Sequence, residues 1–121
     1  MSKTNSIIAL IEAGIKAEAL RQKAIANNVA NLETPGYRRI DVKFEEFLAK
    51  SLDSSGSVDL SKLEPQIYRP RQTPVKANGN DVTLENEVGE MIKNSLRYTT
   101  FIRLLNKKYR GIELAINVGA R

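Results

Sequence analysis

The distribution of proline divides this chain of 121 residues into three parts. All four prolines lie in the centre, between residues 33 and 81, and the two flanks contain none. Because proline lacks an amide hydrogen and clashes with the preceding turn, it is rarely found inside a helix. The flanks can therefore form long helices, whereas the centre is interrupted by Pro35, Pro65, Pro70 and Pro74.

Apolar residues recur in both flanks at alternating spacings of three and four, as in the seam of a coiled coil. In the N-terminal flank this helix seam consists of Ile8, Ile11, Ile15, Ile25, Val29 and Leu32. In the C-terminal flank it consists of Leu84, Val88, Met91, Tyr98, Ile102, Leu105, Tyr109, Ile112 and Ile116. We therefore predict a mainly α fold in which the two helices pair through these residues as an antiparallel, coiled-coil-like hairpin.

The predicted organisation is a single domain with an irregular middle segment. The N-terminal helix covers residues 1–33 and the C-terminal helix residues 83–118, and residues 34–82 form a turn, one short helix and a loop. In the short helix, one face is shared by Phe44, Phe47, Leu48 and Leu52, with Asp41 as its expected cap. A polar, flexible loop is predicted at residues 51–57. The last helix is preceded by a turn at residues 78–81.

Some residues do not fit a simple hairpin. Glu18 and Gln22 interrupt the N-terminal seam; burying them would require partners that fix the register, and a local gap in the packing is the simpler interpretation. Further apolar residues lie off the seams, namely Leu10, Leu20, Leu96, Phe101, Leu104, Leu114 and Val118. Because large exposed apolar surfaces usually mark interaction sites, we expect these residues to contact other chains. Coverage by the middle segment is the alternative.

The composition argues against an enzyme. The chain contains no His and no Cys, which excludes imidazole and thiolate chemistry. It also lacks a glycine-rich phosphate-binding motif. The carboxylate pairs Glu45/Glu46 and Glu85/Glu87 are interpreted as solvated or dipole-complementing charges, because catalytic pairs need a pocket that raises one pKa. We expect no catalytic, cofactor-binding or metal site.

The charge is mildly basic, with 19 Lys and Arg against 14 Asp and Glu, or a formal +5. Six cations lie mainly away from the seam of the C-terminal helix, namely Lys93, Arg97, Arg103, Lys107, Lys108 and Arg110. We interpret them as the solvated face of a long helix. A basic helical nucleic-acid-binding protein, which would lay this face along phosphates, is one alternative function. A cytosolic helical adaptor or export chaperone is another.

The most informative stretch, residues 26–38, follows the middle of the first helix and reads ANNVANLETPGYR. Pro35 and Gly36 fit the two central positions of a type II turn, where glycine supplies a positive φ. The three asparagines, Asn27, Asn28 and Asn31, can bond the last carbonyls of the helix or reach a neighbouring chain.

This stretch resembles the signature ANN-(I/L/V)-AN-xx-TPGY shared by the axial proteins of the bacterial flagellum, the rod and hook proteins. Residues 41–44, 79–82 and 94–109 are similar to the proximal rod members of that family. The resemblance implies a structural subunit whose terminal helices polymerise into the torque-transmitting tube of the proximal rod. It also implies an inter-subunit role for the rod motif, which consists of Asn27, Asn28, Asn31, Thr34, Pro35, Gly36 and Tyr37.

The resemblance further implies partners and a location. The partners are copies of the chain, other flagellar rod proteins, the basal-body adaptor protein FliE and the type III export apparatus, with no nucleic acid and no membrane span. The location is the basal body, in the rod that spans the periplasm, reached by export without a cleaved signal peptide. Phe44 and Leu48 match the short F-xxx-apolar pattern by which early export substrates are recognised, although ordinary packing explains these residues equally well.

Overall fold

The computed structural model describes residues 3–53 and 64–119. Its elements are α1 (Lys3–Ala30), β1 (Asp41–Lys43), α2 (Glu45–Asp53), β2 (Gln66–Tyr68) and α3 (Leu84–Gly119). The mainly α fold is confirmed, and the two long helices pack against each other. None of the helices in these residues combines the length and the apolar character needed to cross a membrane.

Three side-chain contacts fix the antiparallel direction of the hairpin. Asn28 Nδ2, near the end of α1, donates to Glu87 Oε2 at the start of α3 over 3.1 Å. Towards the other end of the hairpin, Asn94 Nδ2 donates to Glu18 O at 2.7 Å, and Tyr109 Oη donates to Glu12 Oε1 at 3.3 Å. The residue numbers rise along α3 as they fall along α1, so the two helices run in opposite directions.

The face that α3 turns towards α1 is not the predicted seam. Glu87 and Asn94 are the buried residues of α3. Of the seam, Ile102, Leu105 and Ile112 are half-buried. The other members are 41–64% exposed and do not form the centre of the hairpin interface, namely Leu84, Val88, Met91, Tyr98, Tyr109 and Ile116. The predicted pairing is therefore corrected: polar residues that find partners on α1 take the central place, and the apolar stripe lies beside them.

On α1, the burial of the seam is more complete. Ile11 and Ile25 are buried, and the remaining members are half-buried, namely Ile8, Ile15, Val29 and Leu32. The small residues Ala17 and Ala24 are also buried on this helix. The buried face of α1 is therefore wider than the seam, because α3 covers one side of it and the segment around β1 and α2 another.

Glu18 does not mark a gap in the packing. It is 1% exposed, and Arg97 Nε donates to its Oε1 at 2.8 Å. Arg21 binds the other carboxylate oxygen of Glu18 and also binds Glu45, just before the first turns of α2. Burial alone would lower the pKa of Arg21, but hydrogen bonds and the charges of these two glutamates hold it above its ordinary value. A buried charge cluster thus links α1, α2 and α3, and such clusters fix helix register.

The middle segment folds back onto α1. Phe44 is buried against Ala17, and Ala13, Phe47 and Leu48 pack around them. Asp41 does not cap the short helix, as we had expected, but lies in β1, which pairs antiparallel with β2 so that Val42 faces Ile67. Residues 51–53, predicted as loop, belong to α2. The side chain of Leu52 and residues 54–57 lie outside the described part of the chain.

Gly14 makes room for Phe101, which lies in the helix interface and not on the outer surface that we had predicted. A Cβ atom on Gly14 would lie 2.6 Å from Phe101 Cζ. We expect Gly14→Ala to lower the free energy of unfolding by about 1 kcal/mol, because overpacking, which costs roughly 1–3 kcal/mol, outweighs the better helix propensity of alanine. Urea denaturation followed by circular dichroism measures this.

Gly111→Ala is the matched control. No atom lies within 4 Å of a Cβ at Gly111, which is also inside a long helix. This substitution should raise the free energy of unfolding by about 1 kcal/mol, since alanine is the better helix former. Equal effects of the two substitutions would show that Phe101 does not constrain Gly14.

Candidate assembly site

The rod motif ends in the turn that the sequence predicts. The amide of Tyr37 donates to Thr34 O at 3.2 Å, which closes a four-residue turn around Pro35 and Gly36. Gly36 has a φ of +74°, in the region that glycine enters without steric cost. The turn therefore has the positive φ at its third position that a type II turn requires.

A second glycine turn packs directly on the first. The amide of Gly79 donates to Lys76 O at 2.9 Å, and Gly79 has a φ of +83°. The Gly36 amide donates to Asn78 O at 2.9 Å, and a Cβ on Gly79 would lie 3.4 Å from Gly36 Cα. The two turns meet backbone to backbone, so the segment that follows α1 and the segment that precedes α3 are fixed to each other.

Asn80 and Asp81 lock this contact from inside. Asn80 is fully buried; its Nδ2 donates to Asn31 O at 2.9 Å and to Thr34 O at 2.8 Å, and its Oδ1 accepts from the Val82 amide at 2.7 Å. Asp81 Oδ1 accepts from the Arg39 amide at 2.6 Å. Sequence reasoning missed both residues. The signal was a glycine turn followed by two adjacent polar residues, Asn80 and Asp81.

Glu87 and Asn28 form the deepest part of the site. The Glu87 side chain is 0% exposed and accepts from Arg39 Nε at 2.9 Å, so its interpretation as a solvated charge is wrong. Asn28 Oδ1 accepts from Tyr37 Oη and from the Ile40 amide, both at 2.9 Å. Burial alone would lower the pKa of Arg39, but the hydrogen bond and charge of Glu87 hold it above its ordinary value. The pair is therefore charged and fully enclosed.

We call this buried network the polar junction; it consists of Asn28, Tyr37, Arg39, Asn80, Asp81 and Glu87. Among the described residues, no buried side-chain nitrogen or oxygen lacks a hydrogen-bond partner. The junction joins the end of α1, the glycine turns and the start of α3 into one unit. Its donors and acceptors are occupied by each other, which suits a structural role.

The other rod-motif residues also bond within the chain. Asn27 Nδ2 donates to Tyr37 Oη at 2.8 Å, and Asn31 Nδ2 donates to Asn27 O at 2.8 Å. Thr34, Pro35 and Gly36 are exposed at the surface of the turn. Asn28 is buried, so any effect it has on neighbouring chains passes through the turn that it holds. The predicted inter-subunit role of the motif stays a prediction.

An open apolar groove of about 390 Å³ lies beside the junction, between the second half of α1 and the start of α3. Its lining residues are Gln22, Ile25, Ala26, Val29, Ala30, Met91 and Asn94. Seam residues of both helices therefore meet at this groove without filling it. The exposed apolar surface continues along α3 with Leu84, Val88, Ile92, Leu96, Tyr98, Leu104, Tyr109, Leu114, Ile116 and Val118.

Nothing in the described ranges, 3–53 and 64–119, resembles a metal centre: no group of three or more His, Cys, Asp or Glu residues could hold an ion there. The glutamates with the most enclosed positions, Glu18 and Glu87, are each bound by arginine. The surface available for function is therefore the apolar groove and the exposed apolar stripe of α3.

Comparison with known proteins points in one direction. The family described as "Flagella basal body rod protein" matches residues 12–38, which include α1 and the glycine turn. The flagellar basal body rod protein FlgB of Bacillus subtilis (strain 168) is 27% identical over 98% of this chain and 99% of its own length. The proteins of the same description from Cereibacter sphaeroides (strain ATCC 17023) and Aeromonas hydrophila are 32% and 26% identical, over 85% and 84% of this chain and 91% and 86% of their own lengths.

Proposed function

This chain belongs to the FlgB family of flagellar basal body rod proteins and is a structural subunit of the rod; on this basis we propose that its terminal helices polymerise into the torque-transmitting tube of the proximal rod. The proposed role is structural and not enzymatic. Neither the nucleic-acid-binding alternative nor the adaptor alternative gains support from the relatives.

One observation supports polymerisation through α3. This helix turns Glu87, Asn94 and Arg97 towards α1, where they find partners, and leaves its apolar seam exposed. Full burial of one large apolar side chain contributes about 1.5–3 kcal/mol. Association itself costs roughly 4–15 kcal/mol of translational and rotational free energy, so a stable contact must bury several of these side chains together. A continuous stripe on a long helix meets that requirement.

The proposed partners are copies of this chain, the other flagellar rod proteins, the basal-body adaptor FliE and the type III export apparatus. The proposed route is export into the rod, across the periplasm, without a cleaved signal peptide. Phe44 is buried against Ala17 in the folded chain, and Leu48 packs beside it. If this pair serves export recognition, the apparatus must therefore meet it before α2 has packed onto α1.

The proposal is tested by a charge on the exposed stripe. Val88→Asp places a carboxylate on a side chain that is 42% exposed, so the folded subunit accommodates it. We expect the variant to fold, to lose at least tenfold in recovery with purified basal bodies, and to abolish swimming, because burying an unpaired charge between chains is costly. Immunoblots of basal bodies and swimming assays measure this.

Thr100→Asp is the matched control, because Thr100 is an exposed residue on the polar side of the same helix. It should leave both rod recovery and swimming near the level of the unaltered chain. Normal incorporation of the Val88→Asp variant would contradict polymerisation through the stripe. Circular dichroism of both purified variants verifies that the subunits are folded alike.

A further inference from the structure

The C-terminal end of α3 projects beyond its partner helix. Because Phe101 packs on Gly14 in an antiparallel hairpin, Ile112 lies level with Lys3, the first described residue of α1. At about 1.5 Å per residue, residues 113–119 extend roughly 10 Å further. This end of α3 therefore has no neighbouring helix within the described residues.

The projecting end is apolar around its circumference. Leu114, Ile116 and Val118 are 65%, 64% and 72% exposed. Successive members are two residues apart, or about 200° around the helix axis, so they do not form a stripe on one side. A helix that is apolar all round is stable only when it is enclosed. A flat neighbouring surface would cover only part of this end, whereas a groove covers more of it.

The apolar groove is the matching concave surface, at the opposite end of the hairpin. Its wall on α1 is thin, because Ala26 and Ala30 carry only methyl groups, and Ile25, Val29 and Met91 provide apolar contact. Its 390 Å³ is open to the surface. Since the groove and the projecting end are different surfaces of one molecule, a contact between them is heterologous and can repeat without closing.

The charges of α3 favour the same pairing. Its first turns, next to the groove, contain the exposed Glu85 and the partly exposed Glu90. Towards its other end, Arg103, Lys107 and Arg110 line a shallow depression together with Leu114. Head-to-tail stacking brings the basic end of one α3 near the acidic start of the next, and opposite potentials steer such an encounter.

We propose that the projecting end of α3 docks into the apolar groove of a second copy of this chain, so that successive subunits stack head to tail. This inference rests on the proposed function, since it specifies how copies meet within the rod. It assigns the axial contact to residues 114–118 of one copy and to the groove between α1 and α3 of the next.

The absence of cysteine from the natural chain makes this contact measurable. A single chain carrying both Ala26→Cys and Ile116→Cys has its two thiols roughly 40 Å apart along the hairpin, too far for a disulfide within one molecule. Mild oxidation of concentrated protein, and of basal bodies that contain this variant, should give a ladder of covalent multimers on non-reducing gels. Each single variant should stay largely monomeric.

The control variant carries Thr100→Cys with Ile116→Cys and should give no ladder, because Thr100 lies outside the groove. Dimers of the single variants without a ladder would indicate a symmetric contact and would overturn the inference. Oligomers that sediment normally but give no ladder would overturn the docking and leave the rod function standing. A chain that neither self-associates nor enters basal bodies would overturn both.

Discussion

Replacing Glu87 by alanine should lower the free energy of unfolding by about 3–5 kcal/mol, the effect of removing one partner from a buried ion pair. The Arg39 side chain, only 8% exposed, would keep its charge without the carboxylate that it binds at 2.9 Å. Asn28 would lose the acceptor of one Nδ2 hydrogen bond as well. Since small domains are stable by only about 5–15 kcal/mol, the loss is a large part of the total.

Glu85→Ala is the control for this prediction. Both glutamates lie in the first turn of α3, but Glu85 is exposed. Its removal should cost only the interaction with the helix dipole, about 0.3–1 kcal/mol. Urea denaturation followed by circular dichroism measures both variants. Similar small losses for the two would mean that the polar junction does not hold the hairpin together.

Replacing Gly36 by valine should cost about 1–3 kcal/mol and prevent rod assembly. Gly36 has a φ of +74°, and a branched side chain is strained there. No atom lies within 4 Å of a Cβ at this position, so the effect comes from the backbone and not from a clash. A turn forced out of this conformation would also lose the hydrogen bond from the Gly36 amide to Asn78.

Gly36→Asn separates the backbone effect from the loss of glycine itself. Asparagine tolerates a positive φ better than other residues with side chains. The asparagine variant should therefore retain most of the stability and enter basal bodies, whereas the valine variant should not. Denaturation curves and immunoblots of basal bodies measure the two outcomes. Equal behaviour of the two variants would exclude the turn conformation as the cause.

The helices and the turn could be predicted because each depends on local chemistry. Proline-free flanks with apolar residues three and four apart specify long helices, and Pro35 followed by Gly36 specifies a turn. The structure has α1 and α3 in these flanks and a positive φ at Gly36.

The face on which the two helices meet could not be predicted in the same way. Periodicity identifies an apolar stripe but does not say which chain covers it. Glu18 and Glu87 are buried because Arg97 and Arg39, 79 and 48 residues away in the sequence, bind them. Nothing in the local sequence announces such pairs. The space above Gly14 likewise becomes meaningful only when Phe101, from the other helix, fills it.

The polar junction also sets an order of events for a polypeptide that emerges N-terminus first. It unites residues 28–39 with residues 80–87, so it is incomplete until Glu87 has appeared. Contacts between such distant segments form late, because a long loop must close first. The greater part of the chain thus leaves a ribosome or a narrow conduit before its tertiary structure can lock, and remains threadable for as long as its last third is withheld.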